Sequence, residues 1–126
     1  GVDVRLMLPK RSDTRTANMA SHSFVDAMVK AGVKVYFYLP GFLHAKLIVS
    51  DDAIACIGSA NMDFRSFEHN FEVNAFVYQP AFAIQMRHIF MHDMDRCEKL
   101  IPNRWLKRPL KQRLAESFMR LFSPLL

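Results

Sequence analysis

Two cysteines in 126 residues, Cys56 and Cys97, are too few for a disulfide scaffold. Neither stands in a CxxC pair or at ligand spacing from a histidine, which argues against a structural zinc site. No apolar run nears the roughly 18 residues that a membrane span needs. The longest, Val33–Leu39 and Ala53–Ile57, are strand-sized. Repeats and low-complexity stretches are missing as well. With 51% hydrophobic and 23% charged residues, the chain has the composition of one folded domain and not of a disordered tail.

Residue 1 is Gly rather than Met, and the chain opens directly on the strand-like Val2-Asp3-Val4-Arg5-Leu6-Met7-Leu8. This reads as a fragment or processed piece, with any signal or anchor lying upstream. The net charge of +5 is unevenly placed. Between Arg96 and Leu126 stand eight basic residues and two acids, Glu98 and Glu116, so the rest of the chain is close to neutral. A cationic C-terminal end points to an anionic surface, lipid or nucleic acid, nearby.

Val2, Val4, Leu6 and Leu8 alternate as in a strand with one better-buried face, closed by Pro9. Ser12-Asp13-Thr14 offers capping chemistry for a helix to about Ala31, with Met19, Phe24, Ala27 and Met28 loosely at helical spacing. Gly32 ends that helix, and Val33–Leu39 predicts a second strand, stopped by Pro40-Gly41. Ala45–Val49 and Ala53–Ile57, separated by Ser50-Asp51-Asp52, predict a hairpin. Phe71–Tyr78 alternates again, with Phe71, Val73, Ala75 and Val77 on one face. Pro80 opens a helix to about Leu100, and Pro102 restarts a basic helix toward Phe122, interrupted by Pro109. The order βαβββα plus a tail predicts an α/β fold with a mixed sheet flanked by helices.

The polar residues that need explaining lie in the predicted hairpin. His44 and Lys46 are two apart, so on a strand they share a face, with Leu43, Ala45 and Leu47 on the other. That pairing suits gripping an anion beside a nucleophile or proton carrier better than it suits a core. Asp51 caps the strand end. Gly58 allows close backbone approach, and Ser59 and Asn61 supply short hydrogen-bonding side chains. The pattern His44-x-Lys46-x4-Asp51-x6-Gly58-Ser59-x-Asn61 resembles the His-Lys-Asp signature of the phospholipase D superfamily, with every position filled. Its surroundings resemble the bacterial cardiolipin synthases: Pro40-Gly41-Phe42-Leu43 before the histidine, Asn61-Met62-Asp63-Phe64-Arg65-Ser66-Phe67 after it, then Phe71-Glu72-Val73-Asn74 and the closing Arg108-Pro109-Leu110.

The resemblance covers essentially the whole chain, as the second, C-terminal half of such an enzyme and so one half of a pseudo-two-fold pair. It implies a phospholipase D-like domain over residues 1–101, with the phosphodiesterase motif at 39–66, and a basic amphipathic tail at 102–126. It implies a metal-free and cofactor-free transfer of a phosphatidyl group between two phosphatidylglycerol molecules, through a phosphohistidine, giving cardiolipin and glycerol. His44, Lys46 and Asp51 become the catalytic candidates, His44 as the acid–base member of a pair completed by an N-terminal half. Ser59, Asn61 and Glu72 become phosphate-binding or supporting residues. Imidazole suits such a role because it exchanges protons near neutral pH, and Lys46 and Asn61 can hold phosphoryl oxygens. The expected partners are phosphatidylglycerol and an anionic membrane surface, not nucleic acid. The expected place is the bacterial inner membrane, anchored through segments outside this chain.

Other readings stay open on the residues alone. A single-motif chain of this superfamily could dimerise into a phosphodiesterase or endonuclease drawn to DNA by its charge. A non-catalytic module binding anionic lipid could keep the same shape. Asp51 alone suits a turn, Glu72 an exposed strand charge, and Asp63 with Arg65 a local salt bridge. His22, His69, His88 and His92 have no motif partners, and the i, i+4 pair His88/His92 lacks a third ligand. Leu110, Leu114, Phe118, Leu121 and Phe122 form one helical stripe, suited either to packing on the domain or to lying on lipid.

Overall fold

The computed structural model describes residues 1–11 and 15–120, with residues 15–21, 64, 119 and 120 described by backbone alone. The predicted cap at Ser12–Thr14, the Met19 side chain, and Leu121 and Phe122 of the tail stripe lie outside the described residues. The chain divides into two compact units, residues 1–43 with 96–126, and residues 44–95.

In the first unit, β1 (Arg5–Pro9), α1 (Arg15–Lys30) and β2 (Lys34–Tyr38) form a β-α-β unit whose strands run parallel, Arg5 opposite Lys34 and Leu8 opposite Phe37. β1 starts at Arg5 and not at Val2, which is left 86% exposed, and Asp3 just before it pairs with two cations: Arg5 at 2.9 Å and Lys34 at 2.8 Å. Those two cations hold the Asp3 carboxyl down at about 2. The helix turns its Val25–Val29 side to the sheet, where Val25 joins the buried Val35, Phe37 and Leu100, while Ala27, expected on the apolar side, is exposed. Gly32, at φ 88°, takes the left-handed turn that ends α1, and Val33 N donates back to Met28 O at 3.0 Å.

The predicted helix over 80–100 stops short. α3 (Pro80–Met94) gives way to β6 (Cys97–Lys99), which pairs antiparallel with β2 and completes the order β1-β2-β6. Local helix propensity is outweighed there by an open sheet edge: Glu98 meets Lys10 at 2.6 Å, and Leu100 N reaches Val35 O at 2.9 Å. The tail then forms α4 (Pro102–Leu106) and α5 (Leu110–Arg120), separated at Pro109 as the sequence predicts. α5 rests on α1, and among the described residues polar groups tie the tail to that helix. Arg108 Nη2 donates to Asp26 Oδ1 at 3.0 Å and Glu116 Oε2 at 2.9 Å, Trp105 Nε1 donates to Asp26 Oδ1 at 2.7 Å, and Gln112 Nε2 to Glu116 Oε1 at 3.0 Å. The Arg108 guanidinium stacks 3.5 Å over Trp105.

The second unit is an antiparallel sheet, β3 (Leu47–Ser50), β4 (Ile54–Gly58) and β5 (Asn74–Val77), in that order. α3 covers one face, where Ala55 and Ala83 are fully buried. A short helix unforeseen from the sequence, α2 (Phe64–Glu68), stands between β4 and β5.

Candidate active site

The hairpin β3–β4 turns on two residues, Asp51 at φ 49° and Asp52 at φ 55°, with Ala53 N donating to Ser50 O at 3.0 Å. Two successive left-handed residues give the turn whose twist matches the strands it joins, and aspartate is among the few residues that tolerate that region. Arg87 Nε pairs with Asp52 at 2.5 Å and ties α3 to the turn. Everything else of the motif lies at the opposite, open end. Roughly 13 Å of extended strand, at about 3.3 Å per residue, separate Lys46 from the turn. The structure therefore sets Asp51 apart from the other motif residues.

At the open end the pairing runs one step past β3, since Gly58 N donates to Lys46 O at 3.2 Å. β3 itself begins at Leu47, so His44 lies before the strand while Lys46 still joins the ladder through its carbonyl. What joins them is local: Lys46 Nζ donates to His44 O at 2.9 Å. His44 is exposed and Lys46 half-buried. Gly58 sits so close to β5 that an added Cβ would run into Val73 O and come within 2.7 Å of Asn74 Cα. That approach brings Ser59 beside Val73. Ser59 N donates to Val73 O, and Val73 N to Ser59 Oγ, both at 3.0 Å.

Glu72 also lies just before its strand, which starts at Asn74 and not at Phe71. The chain bends there because the Glu72 carboxylate gathers the loop around itself. Ser59 Oγ donates to Oε2 in a very short hydrogen bond, Ser66 Oγ donates to Oε1 at 3.0 Å, and Asn70 Nδ2 to Oε1 at 3.4 Å. These donors, Ser59 foremost and then Ser66, together with the charge of Lys46, hold the Glu72 carboxyl below its ordinary value. Phe71 and Val73, expected on one strand face with Ala75 and Val77, precede the strand and are left exposed by the same bend.

Sequence reasoning passed over Ser66, which is 7% exposed and is the hub of the loop. Its hydroxyl accepts from Asn61 N at 3.0 Å, and its own N–H donates to Asp63 Oδ1 at 2.8 Å. Asp63 is thus the N-cap of α2. The spacing Asp63-x-x-Ser66 carries that signal in the sequence. Ser59 and Glu72 are brought together by a hydrogen bond, and the charge of Lys46 acts on the same carboxylate. The Asn61 backbone is anchored to the same cluster, and its exposed side chain stands at the loop's edge.

Such a cluster offers a fixed cation, an ordered carboxylate and a histidine at one strand end, the parts needed to hold a phosphoryl group and pass a proton. Among the described residues, no group of three or more His, Cys, Asp or Glu could hold a metal.

A family model described as cardiolipin synthase, PLD-like domain, matches residues 1–94. The chain belongs to that family. Its curated relatives include a cardiolipin synthase of Clostridium perfringens, 44% identical over all 126 residues, cardiolipin synthase 2 of Bacillus anthracis at 45%, and a cardiolipin synthase of Geobacillus kaustophilus at 46%. The chain spans about a quarter of these relatives: 26%, 24% and 25% of their lengths respectively. Among solved structures it is similar to the phospholipase D family member Nuc of Salmonella typhimurium. That likeness has a TM-score of 0.64 at 20% identity, over 79% of this chain and 64% of Nuc. The mixed α/β architecture is accordingly the phospholipase D fold.

Proposed function

We propose that this chain is the part of a cardiolipin synthase that carries its C-terminal His-Lys-Asp motif, with residues 39–66 as the phosphodiesterase region. In this reading a phosphatidyl group passes from one phosphatidylglycerol to another. The histidine of the partner motif attacks phosphorus, the phosphorus–oxygen bond to the headgroup glycerol breaks, and His44 gives that oxygen its proton. His44 then takes the proton of the second lipid's glycerol hydroxyl as that oxygen attacks phosphorus. The phosphorus–nitrogen bond breaks and cardiolipin forms. Lys46 and Asn61 hold the phosphoryl oxygens, Glu72 with Ser59 orders the site, and Asp51 acts by shaping the turn.

The observation that carries this reading is the gathering of Lys46, Ser59 and Glu72 at the open end of the hairpin, in a chain matched along its whole length by cardiolipin synthases. This reading places the partner motif in the rest of such an enzyme, since the chain spans only 26% of the Clostridium perfringens relative. No helix among the described residues is long and apolar enough to cross a membrane. We place the anchoring in the bacterial inner membrane in segments outside the chain. The test is turnover by the full-length protein in mixed micelles of phosphatidylglycerol. Cardiolipin and free glycerol are expected in equal amounts, and His44→Ala is expected to stop both while the fold survives. Nicking of DNA without glycerol release, or undiminished turnover by His44→Ala, would refute the proposal.

A further inference from the structure

A helix with Leu110, Leu114 and Phe118 at four-residue spacing ordinarily buries that row. In α5 the reverse holds. Glu116 is 3% exposed and held by Arg108 and Gln112 against α1, whereas Leu110, Leu114 and Phe118 are 68%, 60% and 60% exposed. At 3.6 residues per turn the three lie within an arc of about 80°, in one line along the helix. Lys111 is next to Phe118 on the circumference, and Lys107 closes the turn before α5; both are exposed. Glu116 is the sole carboxylate between Pro102 and Leu126, and it is buried in its pair with Arg108. The outward side of α4 and α5 therefore shows cations and apolar side chains; the carboxylates that border Leu110 and Leu114, Asp26 and Glu116, are both paired with Arg108.

We propose that α5 is an interfacial helix, which lays Leu110, Leu114 and Phe118 into the boundary between headgroups and acyl chains of an anionic bilayer, with Lys107 and Lys111 at the lipid phosphates. A helix of 11 residues is roughly 16 Å long at about 1.5 Å per residue, and three side chains abreast fall well short of the roughly 800 Å² per partner that a stable protein interface buries. A bilayer needs no complementary shape, and it rewards apolar side chains flanked by lysines whose stems can snorkel. The ion cluster of Arg108, Asp26 and Glu116 is what makes the arrangement possible, by pinning the polar side of α5 inward. This inference rests on the proposed function only for the choice of lipid.

The test is co-sedimentation of the chain with phosphatidylcholine vesicles, with and without one quarter phosphatidylglycerol. Preferential binding to the anionic vesicles is expected. The variant Leu110→Gln/Leu114→Gln/Phe118→Gln should bind them at least tenfold more weakly while a cooperative melting curve shows that it is folded. Lys107→Gln/Lys111→Gln should lose about tenfold and most of the preference for anionic lipid. This second variant answers the question even if the first fails to fold. Unchanged binding by either folded variant, equal binding to both vesicle types, or no binding at all would overturn the proposal. So would a dimer in sedimentation velocity that the triple variant makes monomeric. Vesicle binding is read without turnover, so its failure and a failure of the transferase reading are separate results.

Discussion

Replacing Arg108 by Met tests the ion cluster that orients α5. The guanidinium is 10% exposed and lies between Asp26, 21% exposed, and Glu116, 4% exposed at the side chain. Removing one partner of a buried ion pair typically costs about 3–5 kcal/mol, because the remaining charge is left unmatched. Here the lower end applies. Asp26 keeps the Trp105 indole N–H at 2.7 Å and Glu116 keeps Gln112 at 3.0 Å, while a Met thioether replaces part of the stacking on Trp105. A loss of about 3 kcal/mol at neutral pH is expected.

The pH dependence supplies a second signature. His22 lies edge-on to Phe37 and Trp105, with Nδ1 3.9 Å from Glu116, and burial together with the charges of Arg108 and Lys10 pushes its pKa down to about 4. The nearby carboxylate would favour the imidazolium, but it is engaged by Arg108, so burial and the cations prevail. Since the folded pKa lies below the ordinary value of 6.5, the unfolded chain binds more protons between those values. Stability is then full above 6.5 and falls as the pH drops toward 4. Without Arg108 the imidazole regains protons beside Glu116, so the deficit of the variant should shrink from pH 7.5 to pH 5.5. Urea unfolding followed by the fluorescence of the single tryptophan measures both, with an unchanged slope. A loss below about 1 kcal/mol at pH 7.5, or the same loss at both pH values, would show that the Arg108 cluster does not hold the helix.

Three further outcomes follow from the site. Ser59→Ala removes the foremost donor to Glu72, so that carboxyl should titrate nearer its ordinary value; the order it imposes, present above that value, is then lost earlier as pH falls. Carboxyl carbon NMR reads this directly, and an unmoved Glu72 resonance would contradict the assignment. Gly58→Ala should destabilise by about 1–3 kcal/mol and weaken amide protection along β4 and β5, since its Cβ meets backbone at Val73 and Asn74. Full protection would show that β5 yields freely there. Asp51→Asn keeps a residue that accepts φ 49°, so activity and stability should hold within about 0.5 kcal/mol, whereas Asp51→Val should cost about 1–3 kcal/mol. An inactive but well-folded Asp51→Asn would place that carboxylate in the chemistry.

Much of this chain is determined by its sequence alone, because the signals are local. Gly32, Pro80 and Pro109 mark helix limits through backbone constraints that no distant contact alters, and Ser50-Asp51-Asp52 encodes a tight turn by its tolerance of left-handed backbone. The motif is legible as a string of residue types, and so is the cationic tail. Tertiary structure decided what depends on a partner far along the chain. Residues 97–99 become a strand because β2 offers an open edge, against their own helical context. The backbone from Ser59 to Glu72 bends because one carboxylate draws Ser59, Ser66 and Asn70 together, a result of hydrogen bonding across 13 residues that alternation cannot report. The apolar stripe of α5 is plain in the sequence, but which way it faces is not. A buried ion cluster spanning 82 residues, from Asp26 to Arg108, holds the Glu116 side of the helix inward, because a charge buried without its partner is strongly unfavourable.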